Sequence, residues 1–98
     1  MRQAQIRSDT ILQAAEMLKC IGHPVRLQIL ELLEEAGEQN VTAIYGALGL
    51  DQPLTSQHLI LMRDKGIVKS RREGVNVFYR IGDERVIRVL DCIRSCEI

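Results

Sequence analysis

The sequence has 98 residues, enough for one small domain, and its hydrophobic fraction of 46% is ordinary for a globular fold. It has no run of eighteen apolar residues, which argues against a membrane-spanning helix, and its first residues lack the apolar core of a signal peptide, so we expect a cytoplasmic protein. The net charge is zero but segregated: six cations and two anions lie between residues 63 and 80, and four glutamates lie between residues 31 and 38.

The first third of the chain predicts two helices. A first helix is predicted over residues 10–22, and Ser8 or Asp9 is expected to cap it. Its apolar stripe at helical spacing consists of Ile11, Ala14, Ala15, Leu18 and Ile21. A second helix is predicted from Pro24, which is tolerated in a first turn, to a stop at Gly37.

Residues 41–66 predict a helix-turn-helix. A short third helix closes at Gly49, and a fourth begins after Asp51, a good N-cap, and stops at Gly66. A short helix, a tight turn with glycine and a second helix with polar first turns are typical of DNA-binding helix-turn-helix units.

The hydrophobic period changes from helical to alternating after this unit. Residues 67–81 predict a β-hairpin with its bend at Glu73 and Gly74, and residues 83–97 predict a last helix capped by Asp83. The order α-α-α-α-β-β-α predicts a mainly α fold with a β-hairpin wing (α+β), a winged helix-turn-helix that forms a single domain over residues 1–98.

Three stretches, LKCIGHPVRLQILELL, VTAIYGALGLDQPLTSQHLILMRDKGIV and SRREGVNVFYRI, resemble in order and spacing the ArsR/SmtB family of bacterial winged-helix repressors. The resemblance covers roughly residues 12 to 90 and implies a homodimer joined by its first and last helices, residues 10–22 and 83–97. It also implies binding of double-stranded operator DNA by the fourth helix and the wing, and release when an effector acts on the protein.

The apolar helices at the two ends of the chain also favour a homodimer. Apolar helices at both ends of a small chain need a surface to cover them, and a symmetric dimer buries both. Such a dimer also holds two recognition helices about one DNA turn apart, as a palindromic operator requires.

The fourth helix and the hairpin carry the predicted DNA contacts. Short polar side chains near a helix N-terminus reach base edges in the major groove, and arginines bind phosphates or an adjacent groove. The predicted DNA-binding residues are Gln52, Thr55, Ser56, Gln57, His58, Arg63, Arg71, Arg72 and Asn76. For His58, which matches the histidine of the family's SQHL motif, a phosphate contact and a packed, neutral ring are both open.

A winged-helix module that binds another protein is the alternative function. It would favour an acidic or apolar fourth helix, whereas this fourth helix begins with polar residues and a basic hairpin follows it. An enzyme is not expected, because the two histidines fall at structural positions and leave no nucleophile and base pair.

The effector sites typical of the family are missing from the sequence. Its zinc sensors carry an Asp-x-His pair early in the last helix, where this chain has Asp83 and Arg85, and its original arsenic and cadmium sensors carry Cys-x-Cys on the third helix, where this chain has no cysteine. The persulfide sensors carry a cysteine on the second helix where this chain has Glu31.

Three cysteines remain as candidate effector thiols: Cys20, Cys92 and Cys96. An odd number argues against a disulfide framework. Three thiolates suit trivalent arsenic or antimony, or another thiophilic ion, and a switch responding to oxidants or reactive sulfur is equally open. Two further alternatives are a structural zinc site that includes His23 and simple packing of the cysteines at the dimer interface.

Overall fold

The computed structural model describes residues 5–96, which form five helices and three strands. The helices are α1 (Ser8–Ile21), α2 (Pro24–Ala36), α3 (Val41–Leu48), α4 (Gln52–Asp64) and α5 (Glu84–Ser95), and the strands are β1 (Gln39–Asn40), β2 (Val68–Glu73) and β3 (Asn76–Ile81). The predicted winged helix-turn-helix fold is confirmed. The predicted domain limits at residues 1 and 98, and the predicted end of the last helix at residue 97, lie outside the described residues.

Side-chain caps start four of the helices. His23 Nδ1 accepts from the N–H of Val25 at the start of α2, and Asp83 Oδ1 accepts from that of Arg85 at the start of α5. Asn40 and Asp51 cap α3 and α4 in the same way. These bonds satisfy N–H groups that the first turn of a helix leaves without partners.

The predicted cap of α1 is wrong. Arg7 stands at the N-cap position and makes no side-chain capping bond. Ser8 is already helical, and the carboxylate of Asp9 accepts from the N–H of Thr10 and from the guanidinium of Arg7. Both predicted caps therefore lie inside the first turn of α1.

A three-stranded antiparallel sheet in the order β1-β3-β2 joins the wing to the helices. The hairpin pairs Val68 with Ile81 at its base and Glu73 with Asn76 at its tip, and Gly74 in the two-residue loop has a φ of 63° that favours glycine. The unpredicted strand β1 pairs with the middle of β3 and leads directly into α3. The wing is thus tied to the start of the helix-turn-helix.

An aliphatic core fills the space between α2, α3, α4, α5 and the base of the hairpin. Its fully buried members include Ile29, Leu30, Ile44, Leu59, Met62, Ile67, Val68 and Val86. Among residues 5–96, no helix has the length and apolar character needed to cross a bilayer.

The first helix contributes little to this core. Met17, Cys20 and Ile21 near its end are buried, whereas Ile11 and Leu18 of the predicted apolar stripe are exposed, with Leu12 between them exposed as well. Most of the apolar surface of α1 therefore has no cover within the protomer.

Candidate DNA-binding surface and effector thiols

The turn between α3 and α4 fixes where α4 begins. Gly49 closes α3 in the left-handed conformation, with φ 65° and ψ 37°, and the next N–H, from Leu50, donates to the carbonyl of Tyr45 at 2.9 Å. Asp51 then caps α4 by accepting from the N–H of Leu54 at 3.0 Å. Because Asp51 itself makes this cap, the polar side chains of the first turns of α4 are not needed for it and can project from the molecule.

Three of the predicted DNA-binding residues share the outer face of these turns. Gln52 and Gln57 are exposed, and Ser56 is half-buried. Residues four apart on a helix lie on the same side, so Gln52 and Ser56 are neighbours and Gln57 follows beside them. Amide and hydroxyl groups in this position are the types that read base edges in a major groove.

The structure corrects the prediction for Thr55. Its side chain is 1% exposed, and its hydroxyl donates to the carbonyl of Asp51 at 2.8 Å. It lies on the inner face of α4 with Leu59 and Met62, which are both fully buried. A buried hydroxyl that is already hydrogen-bonded does not reach a base, so Thr55 has a packing role.

The structure likewise corrects His58 to the packed alternative. The residue is 7% exposed, and its Nδ1 accepts a hydrogen bond from Arg26 Nε at 2.9 Å. Burial, together with the charges of Arg26 and His23, lowers the pKa of His58 below its ordinary value of 6.5. The ring is therefore held neutral and packed inside the protein, with its Nδ1 already engaged by Arg26.

On the wing, Arg71 is engaged within the protein. Its Nε and Nη2 donate to Glu38 Oε1 at 3.0 and 2.8 Å, and its guanidinium lies 4.7 Å from the centre of the Phe78 ring. The hydrogen bond from Arg71 lowers the pKa of Glu38. Because Glu38 directly precedes β1, this contact helps to fasten β2 to the rest of the sheet.

The other predicted wing and backbone residues remain at the surface. Arg72 and Asn76 are exposed next to the hairpin loop, and within residues 5–96 Arg72 forms no ion pair. Arg63, near the end of α4, is exposed with its Nη2 at 3.7 Å from Asp64. Of these cations, Arg72 is the one most directly available to DNA.

The strand register reveals two candidates that residue type alone had not selected. Lys69 and Arg80 are directly opposite each other in the hairpin, and both are exposed. Like charges at opposed positions repel each other and destabilise a sheet unless an anion lies between them. The pair therefore suits a phosphate. It follows from a two-residue loop at Gly74 and Val75, whereas the predicted bend at Glu73 and Gly74 is wrong by one residue and would have placed Phe78 opposite Lys69.

The three cysteines are free thiols with different surroundings. Cys92 and Cys96 are exposed on the last turns of α5, while Cys20 is 8% exposed at the end of α1. Within the described part of the chain, no three His, Cys, Asp or Glu side chains stand close enough together to hold a metal ion.

The surroundings of His23 also bear on the zinc alternative. Its Nδ1 is occupied in capping α2, at 3.1 Å from the N–H of Val25, and its ring lies 4.8 Å from the centre of the His58 ring. This capping bond favours the structural role of His23 over a zinc ligand.

The chain resembles known regulators in both sequence and structure. Residues 23–70 match the family described as bacterial regulatory protein, arsR family. The chain is 43% identical over 81 residues to the uncharacterized HTH-type transcriptional regulator MJ1325 of Methanocaldococcus jannaschii, an alignment that covers 83% of this chain and 91% of that protein.

Two solved structures extend the similarity to the whole fold. The AntR antimony-specific transcriptional repressor superimposes with a TM-score of 0.89 at 27% identity, covering 97% of this chain and 86% of that one. The homodimeric winged helix-turn-helix DNA-binding domain of Mb0332 from Mycobacterium bovis superimposes with a TM-score of 0.77 at 35% identity, covering 97% and 88%.

Proposed function

Because the chain belongs to the arsR family of bacterial regulatory proteins, we propose that it represses transcription as a homodimer that binds a palindromic operator and leaves it when an effector acts on its cysteine thiols. Members of this family are DNA-binding regulators, so the chain is a regulator and not an enzyme. The observation that carries the proposal is the exposed polar face of α4 beside a basic wing that β1 ties to the same helix-turn-helix.

In the proposed complex α4 lies in the major groove. Gln52, Ser56 and Gln57 face the base edges, and a glutamine amide can pair with adenine through two hydrogen bonds. Arg72 and Asn76 at the wing tip reach the neighbouring backbone or groove, and Lys69 with Arg80 holds a phosphate. A cytoplasmic location follows from this role.

The shape of the protomer supports a dimer. Its radius of gyration is 14.8 Å, against about 13 Å for a compact domain of this length. Side chains of Ile11, Leu12 and Leu18 on α1 and of Ile93 on α5 are 48% to 67% exposed. Pairing of two protomers through α1 and α5 covers this surface and gives the twofold symmetry that a palindromic operator mirrors.

The thiol effector is the finer part of the proposal. Trivalent arsenic or antimony, or another thiophilic ion, fits a set of thiolate ligands, and AntR, which superimposes with a TM-score of 0.89, is described as antimony-specific. Since Cys92 and Cys96 are exposed within the protomer, they are accessible to join Cys20 of a second protomer. An oxidant or a reactive sulfur species would act on the same three thiols.

Operator binding is tested by fluorescence anisotropy with a labelled duplex. We expect Ser56→Ala, Gln57→Ala and Arg72→Ala each to weaken binding, and the wild-type affinity to fall steeply with salt. Gln28→Ala, an exposed glutamine on α2, is the matched control and should bind like wild type. If the three variants also bind like wild type, the assigned surface is wrong, and a complex with a protein partner becomes the better explanation.

The effector is tested by titrating the protein–DNA complex separately with arsenite, antimonite, zinc, peroxide and a polysulfide. The proposal expects at least one of these to release the wild type at a concentration that leaves Cys20→Ser and Cys92→Ser/Cys96→Ser bound. Equal release of all three proteins would mean that the cysteines serve only for packing.

A further inference from the structure

One half-buried arginine connects the end of α1 to the middle of α4. Arg26, in the first turns of α2, donates from Nη1 to the carbonyl oxygen of Cys20 at 2.8 Å and lies 3.9 Å from Cys20 Sγ. The same guanidinium donates from Nε to Nδ1 of His58 at 2.9 Å. A single rigid, planar group thus touches a candidate effector thiol and the proposed DNA-reading helix at once.

The position of His58 makes this contact relevant to DNA binding. It directly follows Ser56 and Gln57, which face outward from the same turn of α4, while its own ring points into the protein. The ring has to be neutral and unprotonated at Nδ1 in order to accept from Arg26. Any shift of the guanidinium therefore leaves a buried acceptor without its donor at the turn that presents the base-reading side chains.

A cavity gives a ligand access to this junction. It measures about 370 Å³, and its walls are formed by Glu16, Lys19, Cys20, Arg26, Leu61 and Lys65. Cys20 and Arg26 line the same space, so a group attached to the sulfur lies against the guanidinium. The cavity also reaches Leu61 on α4, one turn beyond His58.

We infer that Arg26 is a positioning residue that transmits the state of Cys20 to α4 through its hydrogen bond to His58. The inference rests on the proposed function, and it distinguishes Cys20, which has this connection, from Cys92 and Cys96 on α5. Filling the space beside Sγ displaces the guanidinium, the bond to His58 is lost, and the turn carrying Ser56 and Gln57 changes its position relative to the rest of the protomer.

The test uses the full chain with Cys92→Ser/Cys96→Ser, in which Cys20 is the one remaining thiol. Methyl methanethiosulfonate converts that thiolate to a methyl disulfide: the cysteine sulfur forms a bond to the methylthio sulfur, and methanesulfinate leaves with the electron pair. Operator affinity and the NMR signal of the His58 ring are measured before and after labelling. Since the chain has two histidines, His23→Asn assigns the two ring signals.

With Arg26 intact, labelling should weaken operator binding about tenfold and shift the His58 signal, a typical size for coupling between two sites. In Arg26→Gln the unlabelled protein should bind more weakly, and labelling should change neither the affinity nor the signal appreciably. Arg26→Lys keeps the charge but cannot span both partners, so it should be uncoupled as well and serves if the glutamine variant does not fold. Glu35→Gln, an exposed charge on the same helix, should respond like the parent.

If labelling weakened operator binding in the Arg26 variants as much as in the parent protein, the inference would be overturned, although thiol sensing by Cys20 would stand. If labelling of the protein with Arg26 intact changed neither the operator affinity nor the His58 signal, the inference would also be overturned. Cys20 would then not be an effector thiol. If the unlabelled protein bound no operator, the proposed function would fail, and the His58 signal alone would then decide whether Arg26 couples Cys20 to α4.

Discussion

Two neighbouring arginines of the wing are expected to differ in what they contribute to operator binding. Arg71 donates two hydrogen bonds to Glu38 and stacks on Phe78, whereas Arg72 is exposed and has no ion pair among the described residues. An arginine that already neutralises a carboxylate releases few counterions when it meets a phosphate. Arg72→Ala should therefore reduce the salt dependence of binding more than Arg71→Ala does.

The expected size follows from dimer symmetry. Each phosphate contact adds about 0.9 to the slope of log affinity against log salt concentration, and a symmetric dimer loses two contacts per substitution, so the slope should fall by about 1.8 for Arg72→Ala. Between about 50 and 200 mM salt the wild type should consequently lose about tenfold more affinity than this variant does. For Arg71→Ala we expect a change in slope of less than about half that size.

The assay is anisotropy with one labelled operator at four or more salt concentrations, with urea unfolding of each variant to confirm that the fold is intact. The reasoning is refuted if Arg71→Ala lowers the slope as much as Arg72→Ala does. It is also refuted if Arg72→Ala leaves the slope unchanged.

Three further outcomes follow from the corrected roles of Thr55 and His58 and from the wing turn. Thr55→Val removes one buried hydrogen bond and should cost about 1 kcal/mol of stability in urea unfolding. It should leave the operator affinity of the folded protein unchanged, and a changed preference among operator sequences would return Thr55 to the DNA-binding surface. Because the folded protein holds the pKa of His58 below 6.5, the contribution of this residue is fully present above that pH and is lost as the pH falls through the lower, folded pKa. The urea midpoint should therefore drop between about pH 7.5 and 5.5, above the range in which most carboxylates titrate, and should drop less in His58→Asn; equal drops would place the pH dependence elsewhere. Gly74→Ala meets no atom within 4 Å but must adopt a φ near 63°, so it should cost about 1 to 2 kcal/mol and weaken operator binding, while Gly74→Asn should cost less. If Gly74→Ala changed neither the stability nor the operator affinity, the turn would be free to change its conformation.

The elements with strong local signals were predictable from the sequence. Asp51 and Asp83 cap α4 and α5 as expected, and Gly37 and Gly49 end α2 and α3. The strand β1 was not predictable, because two residues show no alternation and the strand exists only through its pairing with Tyr79 and Phe78 in the distant hairpin.

For the DNA-binding residues of α4, helical spacing predicted which side chains are exposed better than residue type did. Thr55 was selected because its hydroxyl can bind DNA, yet it stands four residues before Leu59 and seven before Met62, and this spacing puts it on the buried face. The same pattern leaves Ser56 and Gln57 outside.

The remaining differences between the predictions and the structure come from contacts between distant parts of the chain. Arg71 and Arg72 are alike in sequence, and the contacts of Arg71 with Glu38, 33 residues earlier, and with Phe78 and Glu73 of the hairpin distinguish them. Of the apolar stripe expected on α1, Ile21 is buried as predicted, but Ile11 and Leu18 are exposed, and Met17 and Cys20 face the core instead. A helix with apolar residues on more than one face does not reveal from its sequence which face belongs to its own protomer.

The most direct test of the central claim, a symmetric dimer that reads DNA through two copies of α4, is the binding stoichiometry on palindromic duplexes of different half-site spacing. Analytical ultracentrifugation should give two chains per duplex when the half-sites lie about 10 base pairs apart, and binding should be lost when about 5 base pairs are inserted between them, because the second helix then faces the opposite side of the DNA. One chain per duplex, or equal affinity at both spacings, would contradict the account.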